Sequence, residues 1–457
     1  MDSINEITIT AIADGLKNKT ISVSELTEEY IRRIEAVDRG ENGLNSVLEI
    51  NPEAPAIAKR LDESHTERGS RLFGIPILLK DNIDTADSMH TSAGSLALAD
   101  SVAAADAELV RILRAKGAVL LGKANMTEFA NYMTKGMPAG YSSRGGQVKS
   151  PYVHEEDPSG SSTGSAVAVT ANLCAASIGT DTSDSIVSPG LQNGIVGFRP
   201  SMGAISQKGI IPISFTCDTA GLMTRTVMDT ILLYSELTGI TVKTGEKPDY
   251  RGITAGINEW AMKNMKPEEA KKAESIIKEL ERAGVAIKRL HIEPIPTDNI
   301  KTIQRFEFKY AMNRYLSKLP GSFPIRTLKQ IIEYNNCHPE QTLKYGQSLL
   351  TDAEENTRGN LSEMEYIEML KDRERHKKEV YTLLRGLDVC IMFMENLLLQ
   401  YCGLPIITLP HGLYNNGMPY GISMTALTDT GLLTQAYHLE RIIGQRVEPK
   451  FKKWKEA

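Results

Sequence analysis

Short apolar runs that alternate with amphipathic helical segments limit the folds open to this chain. The run FGIPILLK (73–80) is bounded by glycine and charge and is typical of a buried strand. In DAELVRILRAKGAVLLGKAN (106–125) a helical pattern ends at a glycine, and a second apolar strand follows. The same order recurs in PEEAKKAESIIKELERAGVAIKRL (267–290). This alternation predicts an α/β fold, with a sheet covered by helices on both faces.

The length of the chain and changes in its local sequence pattern divide it into four segments. With 457 residues it exceeds the ~250–300 at which one hydrophobic core usually stops growing. Residues 1–70 are predicted to be helical and to pack on the core, since SVSELTEEYIRRIEAVD (22–38) opens with a capping box and continues with helical periodicity. We assign the α/β core to 71–295, a charged helical insertion that shapes the pocket to 296–386, and the last strands and helix to 387–457.

The composition is that of an ordinary globular protein and excludes several classes. The chain is 41% hydrophobic and 24% charged, and its net charge of −5 comes without a basic stripe, so nucleic acid is not an expected partner. No apolar run reaches the ~18–20 residues of a membrane helix, and the start, MDSINEITIT, lacks the features of a signal peptide. Five unpatterned cysteines favour free thiols in a reducing compartment. We therefore expect a cytoplasmic protein that does not contact membranes.

One lysine and two serine-rich runs remain as candidates for chemistry. The chain has no phosphate-binding glycine loop, no HExxH motif and no paired CxxC, and its histidines lack metal-ligand spacing. Lys80 ends an apolar strand, where desolvation would lower its pKa and make it a candidate base; a lysine that simply reaches solvent explains the same pattern. The runs DPSGSSTGSA (157–166) and GTDTSDSIVSP (179–189) fit a nucleophile loop, and they equally fit plain loops or helix caps. Spacing alone does not decide between these interpretations.

Taken together, these segments resemble the amidase signature family. GIPILLKDNIDT (74–85) is similar to the lysine segment of that family, DPSGSSTGSAVAV (157–169) to its glycine/serine loop, and GTDTSDSIVSP (179–189) to its nucleophile loop. The similarity extends over roughly residues 70–235. GYSSRGGQVKSP (140–151) and the helical insertion further resemble the branch that includes peptide amidases. The resemblance implies the amidase-signature fold, with a large mixed β-sheet, and an enzyme that hydrolyses a small or peptide-like carboxamide.

The resemblance also implies a Ser–cisSer–Lys triad. It assigns the base to Lys80, the bridging serine to Ser161 and the nucleophile to Ser185, with a cis peptide bond before Ser161. A lone serine is a poor nucleophile, so Lys80 would take the proton of Ser161 while Ser161 takes that of Ser185. The residues placed at the oxyanion hole through their backbone N–H groups are Thr182, Ser183, Asp184 and Ser185. The side chains placed against the substrate are those of Met133, Ser162, Asp184 and Cys217. No metal and no other cofactor are implied.

Two departures from the family pattern complicate this assignment. Family members usually carry glycine directly before the nucleophile, where this chain has Asp184. At an effective dielectric of ~20, a charged carboxylate ~4 Å from an oxyanion repels it by ~4 kcal/mol, so the carboxylate must point away, be protonated or bind a substrate group. Near the C-terminus, ENLLLQYC (395–402) replaces a proline-containing loop. We expect a pocket wall that is shortened there and repacked with larger residues.

Three functions are compatible with these observations. The first is an amide hydrolase that works through an acyl-enzyme, and the second is an amide-forming or acyl-exchanging biosynthetic enzyme with the same triad. The third is a non-catalytic paralogue. Retention of Lys80, Ser161 and Ser185 argues against the third, whereas Asp184 argues against an ordinary form of the first. The expected partner is a small-molecule or peptide amide, and a homodimer is left open.

Overall fold

The computed structural model describes residues 4–40, 42–64, 69–245 and 249–450. Its β-strands are β1 Val47–Ile50, β2 Pro76–Lys80, β3 Val119–Ala124, β4 Tyr141–Ser142, β5 Gly146–Gln147, β6 Ala176–Asp181, β7 Val196–Arg199, β8 Thr219–Thr224, β9 Thr254–Asn258, β10 Ala286–Leu290, β11 Val389–Met392, β12 Ile406–Leu413 and β13 Pro419–Thr425. Its α-helices are α1 Ile9–Lys17, α2 Val23–Arg33, α3 Ala54–Glu63, α4 Glu108–Ala115, α5 Thr163–Thr170, α6 Val187–Gln192, α7 Val227–Thr238, α8 Glu259–Asn264, α9 Pro267–Ala283, α10 Thr297–Leu316, α11 Leu328–Cys337, α12 Pro339–Thr342, α13 Ser348–Asn356, α14 Met364–Leu384, α15 Leu397–Cys402 and α16 Asp429–Ile443.

One mixed sheet of eleven strands organises the molecule. Its order is β1-β3-β2-β6-β8-β7-β12-β13-β11-β9-β10, while β4 and β5 form a separate pair. Strand β2 runs parallel to β3 and β6, and β9 runs parallel to β10 and β11; the other neighbours in the sheet are antiparallel. Every residue of β2, β3, β6, β7 and β8 is buried, which explains the apolar runs of β2 and β3. The predicted α/β fold with a large mixed sheet is confirmed.

Local sequence signals set the ends of several elements as predicted. Helix α2 begins with a capping box, in which Ser22 and Glu25 each accept a hydrogen bond from the backbone of the other. Helix α9 ends at Gly284, which adopts the left-handed conformation (φ 100°) that glycine tolerates best, and β10 follows. The strand predicted at 73–80 and the helix–strand pair at 106–125 are also present, as β2 and as α4 with β3.

The prediction that residues 1–70 form a helical segment missed one strand. The short strand β1 lies within this segment and pairs antiparallel with β3 at the edge of the sheet. By contrast, the described residues of 296–386 form helices α10–α14 without a strand. The predicted segment 387–457 contributes β11 to β13 with two helices, and its residues 451–457 lie outside the described part. None of the described helices is both long and apolar enough to cross a membrane.

Candidate active site

The parallel pairing of β2 with β6 brings two candidate segments to one edge of the sheet. Leu79 pairs with Ile178, so Lys80 at the carboxyl end of β2 lies beside the end of β6, from which the loop 182–185 continues. Binding sites in α/β proteins usually form at the carboxyl ends of parallel strands. Lys80 and Thr180, which are 100 residues apart in sequence, are consequently in hydrogen-bond contact.

The glycine/serine loop reaches the same edge because helix α5 packs closely there. The peptide bond between Gly160 and Ser161 is cis, as predicted, and Ser161 and Ser162 directly precede α5. A Cβ atom on Gly164, in the first turn of α5, would lie 2.3 Å from the carbonyl oxygen of Ser46. Only glycine permits this approach, which sets the depth at which the two serines enter the site.

Lys80 is fully buried and surrounded by oxygen atoms. Its Nζ lies 2.8 Å from Ser161 Oγ, 3.0 Å from Ser162 Oγ and 3.2 Å from the carbonyl oxygen of Thr180. Burial lowers the pKa of Lys80 to about 7, against the opposing effect of two nearby aspartate carboxylates. Because a buried ammonium is poorly solvated, a large fraction of this amine is neutral near neutral pH.

Ser185 lies in the wall of the neighbouring cavity, with 6% of its surface exposed. Its carbonyl oxygen accepts a hydrogen bond from the N–H of Ser162 at 3.3 Å, which ties the nucleophile loop to the glycine/serine loop. Within the described ranges, no hydrogen bond joins Ser161 Oγ directly to Ser185 Oγ. Catalytic hydrogen bonds are often long before substrate binds, so this spacing is compatible with a relay.

The nucleophile loop carries backbone donors without a protein partner among the described residues, and its residues 182–185 line the cavity. In the part of the chain that the structure describes, the N–H groups of residues 182–185 donate no hydrogen bond to another protein group. The next N–H, that of Ile186, donates to Asp181 Oδ2 at 2.7 Å. Unpaired N–H groups that face a cavity are the donors from which an oxyanion hole is built.

Three buried polar residues that we did not predict hold this loop in place. Arg199 Nε donates to Asp181 Oδ1 at 2.9 Å, and neither side chain is exposed. Thr182 Oγ1 donates to Asp218 Oδ1 at 2.7 Å. Burial raises the pKa of Asp218 to about 7. The loop is thus anchored at its start, through Asp181 and Thr182, and beyond its end through Ile186.

Asp184 lies in the cavity wall beside Ser185, as expected from its position in sequence. Ser183 Oγ donates a hydrogen bond to its Oδ1 at 3.4 Å. Burial, together with the nearby carboxylates of Glu395 and Asp181, raises the pKa of Asp184 well above its ordinary value. The Asp184 side chain therefore belongs to the cavity wall and is more readily protonated than an ordinary aspartate.

The cavity has a volume of about 1010 Å³ and is large enough for a short peptide. One wall is the nucleophile loop with Gly160, and another is formed by residues 130–132 and 134–137. Helix α10 contributes the face that carries Lys301 and Arg305, α13 contributes Asp352, and α15 contributes Leu397. Because Arg305 forms an ion pair of 2.8 Å with Asp352, part of the charge at the wall is already neutralised.

Three of the side chains expected to contact substrate, those of Met133, Ser162 and Cys217, are not among the residues that line this cavity. Met133 is 1% exposed and packs in an apolar cluster with Phe308, while Cys217 is fully buried in another cluster with Tyr401. Ser162 Oγ is occupied by Lys80 and by the backbone of residue 180. Correct placement of a loop in sequence does not reveal which of its side chains turn inward. The fourth residue, Asp184, lines the cavity, and substrate contact by the other three remains a prediction.

Comparison with known proteins identifies the family. A model of the amidase family matches residues 25–394. The chain belongs to this family. The amidase-signature resemblance, including that to the peptide-amidase branch, is thereby confirmed.

Amidase relatives match the chain over nearly its whole length. A protein of Arabidopsis thaliana named "probable amidase" is 36% identical over 98% of this chain and 92% of its own. The crystal structure of an amidase family protein from Bacillus anthracis is 36% identical, with a TM-score of 0.90 over 98% of this chain and 93% of that one. The native peptide amidase of Stenotrophomonas maltophilia is 32% identical, with a TM-score of 0.90 over 98% and 99%. The chain is therefore an amidase-signature enzyme with the amidase-signature fold.

Proposed function

We propose that this amidase hydrolyses peptide-like carboxamides through an acyl-enzyme on Ser185. The observation that carries the proposal is the contact of 2.8 Å between the buried Lys80 amine and Ser161 Oγ, next to Gly160, which lines the same cavity as Ser185. A lysine with a lowered pKa beside a serine hydroxyl is a recognised way to activate a nucleophile.

The surroundings of Lys80 suit its neutral form. A neutral amine has two N–H donors and one lone pair. The carbonyl oxygen of Thr180 and the Oγ of Ser162 can accept its two N–H groups, which directs the lone pair at the Ser161 hydroxyl. Ser161 can then lose its proton to Lys80 while it receives that of Ser185.

The formation of the acyl-enzyme and its hydrolysis both balance with the groups of the proposed site, the substrate and water. Ser185 Oγ attacks the carbonyl carbon of the substrate, and the carbonyl oxygen becomes an oxyanion that the N–H groups of residues 182–185 stabilise. The carbon–nitrogen bond breaks as the nitrogen receives the proton held by Lys80 through Ser161, and ammonia or an amine leaves. Water then attacks the ester carbon by the same relay, which releases a carboxylic acid and restores Ser185.

A peptide-like substrate is supported by the volume of the cavity and by the similarity to the Stenotrophomonas maltophilia peptide amidase. The amide-forming alternative uses the same acyl-enzyme with an amine in place of water. The product ratio between water and an added amine separates these two reactions.

The direct test is to treat the protein with a fluorophosphonate and to map the modified peptide by mass spectrometry. We expect the label on Ser185, and hydrolysis of C-terminally amidated peptides in the same preparation. Label on Ser183 would refute the assignment of the nucleophile. The absence of any label in a folded preparation would support a non-catalytic paralogue.

The acid side of the pH profile should report Lys80. Because its pKa is about 7 and only the neutral amine is a base, kcat/KM is expected to rise with pH and to level off above ~7. Asp218 opposes the lowering of this pKa, so Asp218→Asn should move the midpoint to lower pH. A midpoint near ~4, in the ordinary range of a carboxylate, would contradict the role of Lys80.

The pH profile should also report Asp184. Its carboxyl group is neutral below its raised pKa, and it becomes a charge beside the oxyanion as pH rises through that value. We therefore expect wild-type kcat to fall as pH rises through the pKa of Asp184, and Asp184→Asn, which stays neutral, to show no such fall. Asp184→Gly should keep or raise the hydrolysis of simple amides. Identical pH profiles of kcat in wild type and Asp184→Asn would rule out this explanation.

A further inference from the structure

Glu307 is a fully buried carboxylate in the middle of helix α10. Its Oε2 accepts hydrogen bonds from Ser214 Oγ at 2.5 Å and from the N–H of Thr216 at 3.0 Å. Its Oε1 accepts from Thr216 Oγ1 and, at 2.7 Å, from the hydroxyl of Tyr366 in α14. All four of these donors are neutral, so the desolvation of the carboxylate is offset by hydrogen bonds alone. Such a group fixes the geometry of whatever supplies its donors.

The donors of Glu307 belong mainly to the segment 213–218, which precedes β8. This segment is folded on itself, since the N–H of Asp218 donates to the carbonyl oxygen of Ser214 at 2.8 Å. The side chain of Asp218 closes the turn, because its Oδ2 accepts from the N–H groups of Ile213 and Ser214 at 2.8 and 2.9 Å. Movement of Ser214 therefore displaces Asp218.

The other oxygen of Asp218 reaches the catalytic loop. Its Oδ1 accepts from Thr182 Oγ1, and Thr182 stands three residues before Ser185. An unbroken series of buried hydrogen bonds thus runs from α10 through Ser214 and Asp218 to the loop that supplies the oxyanion donors. The same helix lines the substrate cavity at Arg305, two residues before Glu307, and at Lys301, six residues before it.

We propose that Glu307 is a positioning residue, which aligns the nucleophile loop through Asp218 and Thr182 and joins that loop to the helix that lines the substrate cavity. The inference rests on the proposed role of Ser185. Small displacements of a nucleophile or of its oxyanion donors slow the reaction strongly, while substrate contacts made elsewhere in the cavity are retained. Loss of Glu307 should therefore lower kcat and leave KM nearly unchanged.

The test compares Glu307→Ala with Glu307→Gln by steady-state kinetics and by the rate of fluorophosphonate labelling at Ser185. Alanine removes every acceptor, and we expect kcat and the labelling rate to fall together by about 10- to 100-fold. Glutamine keeps one oxygen for Ser214 and the N–H of Thr216. Its NH₂ can donate to the hydroxyls of Thr216 and Tyr366, which rotate to accept, so both rates should return to within about threefold of wild type.

Two controls separate positioning from a general loss of stability. Asp229→Ala removes another buried carboxylate, one that accepts the N–H of Ile9 at the start of α1, and it should leave the labelling rate unchanged. Thr182→Val removes the hydrogen bond to Asp218, the last bond of the same series. The factors by which Thr182→Val and Glu307→Ala slow labelling should therefore not multiply in the double variant. If Glu307→Ala does not fold, Ser214→Ala breaks the same series and should slow labelling.

Distinct results would overturn the inference and the proposed function. Labelling of Glu307→Ala within about twofold of wild type, or effects that multiply with Thr182→Val, would refute the positioning role. Failure of the wild-type protein to be labelled at Ser185 would instead refute the proposed nucleophile.

Discussion

Alanine at Lys80, Ser161 or Ser185 is expected to lower kcat by at least about 10³-fold while the fold is retained. Each substitution breaks the same proposed relay, in which Lys80 Nζ contacts Ser161 Oγ and Ser161 passes the proton of Ser185 to it. The triple variant should consequently be little slower than Ser185→Ala alone, since residues that act as a unit lose their effect together. Hydrolysis of an amidated peptide, measured at a pH above 7, provides the rates.

Ser183→Ala is the matched control, since Ser183 lies in the same loop, two residues before the nucleophile. We expect it to retain most of the wild-type rate and all of the fluorophosphonate labelling. Full activity of Ser185→Ala would exclude the assigned nucleophile. If the factors by which the three substitutions lower kcat multiply in the triple variant, the three residues act independently, which would contradict a relay.

Element types were predictable from the sequence where the pattern was long or sharply bounded. Strand β2 and the pair of α4 with β3 show a continuous apolar run and a helical period that ends at a glycine. Strand β1 was missed because its four residues, VLEI, include a glutamate and are only partly buried at the sheet edge. Sheet order was not predictable from local patterns, since neighbours such as β7 and β12 lie far apart in the chain.

The candidate catalytic residues could be named only from the family resemblance. Lys80 by itself fitted a solvent-seeking lysine equally well, and its burial depends on the packing of β2 between β3 and β6. Asp184 was expected beside the nucleophile, but the carboxylate of Glu395 that helps to raise its pKa comes from a segment over 200 residues away. Charge effects of this kind need tertiary structure.

The buried charged residues that hold the site in place, such as Arg199 and Glu307, cannot be recognised from the local sequence. Arg199 and Glu307 resemble surface residues in composition, because arginine and glutamate are rarely fully buried. Each becomes recognisable only through its partners: the carbonyl oxygen of Leu404 lies 205 residues from Arg199, and Ser214 lies 93 residues from Glu307. These contacts decide how rigidly the nucleophile loop is held, and a single sequence does not reveal them.

Arg199→Met is expected to cause the largest loss of stability of the substitutions considered, about 3–5 kcal/mol in the free energy of unfolding. The guanidinium pairs with Asp181 in a fully buried site and donates to the carbonyl oxygens of Cys217 at 3.0 Å and Leu404 at 3.1 Å. Its removal leaves a buried carboxylate without a counter-charge. Urea unfolding measures the loss, and Arg111→Met, which breaks an exposed pair with Glu108, should show little change.

The companion variant Arg199→Met with Asp181→Asn distinguishes an unpaired charge from a simple loss of packing. It removes both charges, and asparagine can still accept the N–H of Ile186, so we expect it to be more stable than Arg199→Met alone. In the single variant the uncompensated Asp181 carboxylate should also raise the pKa of Lys80, because this carboxylate already opposes the effect of burial. The midpoint of the rise of kcat/KM with pH would then move to higher pH. In the double variant this midpoint should return to its wild-type pH or fall below it. If the double variant is no more stable than Arg199→Met, and the midpoint of kcat/KM does not move, Arg199 acts through packing and not through its charge.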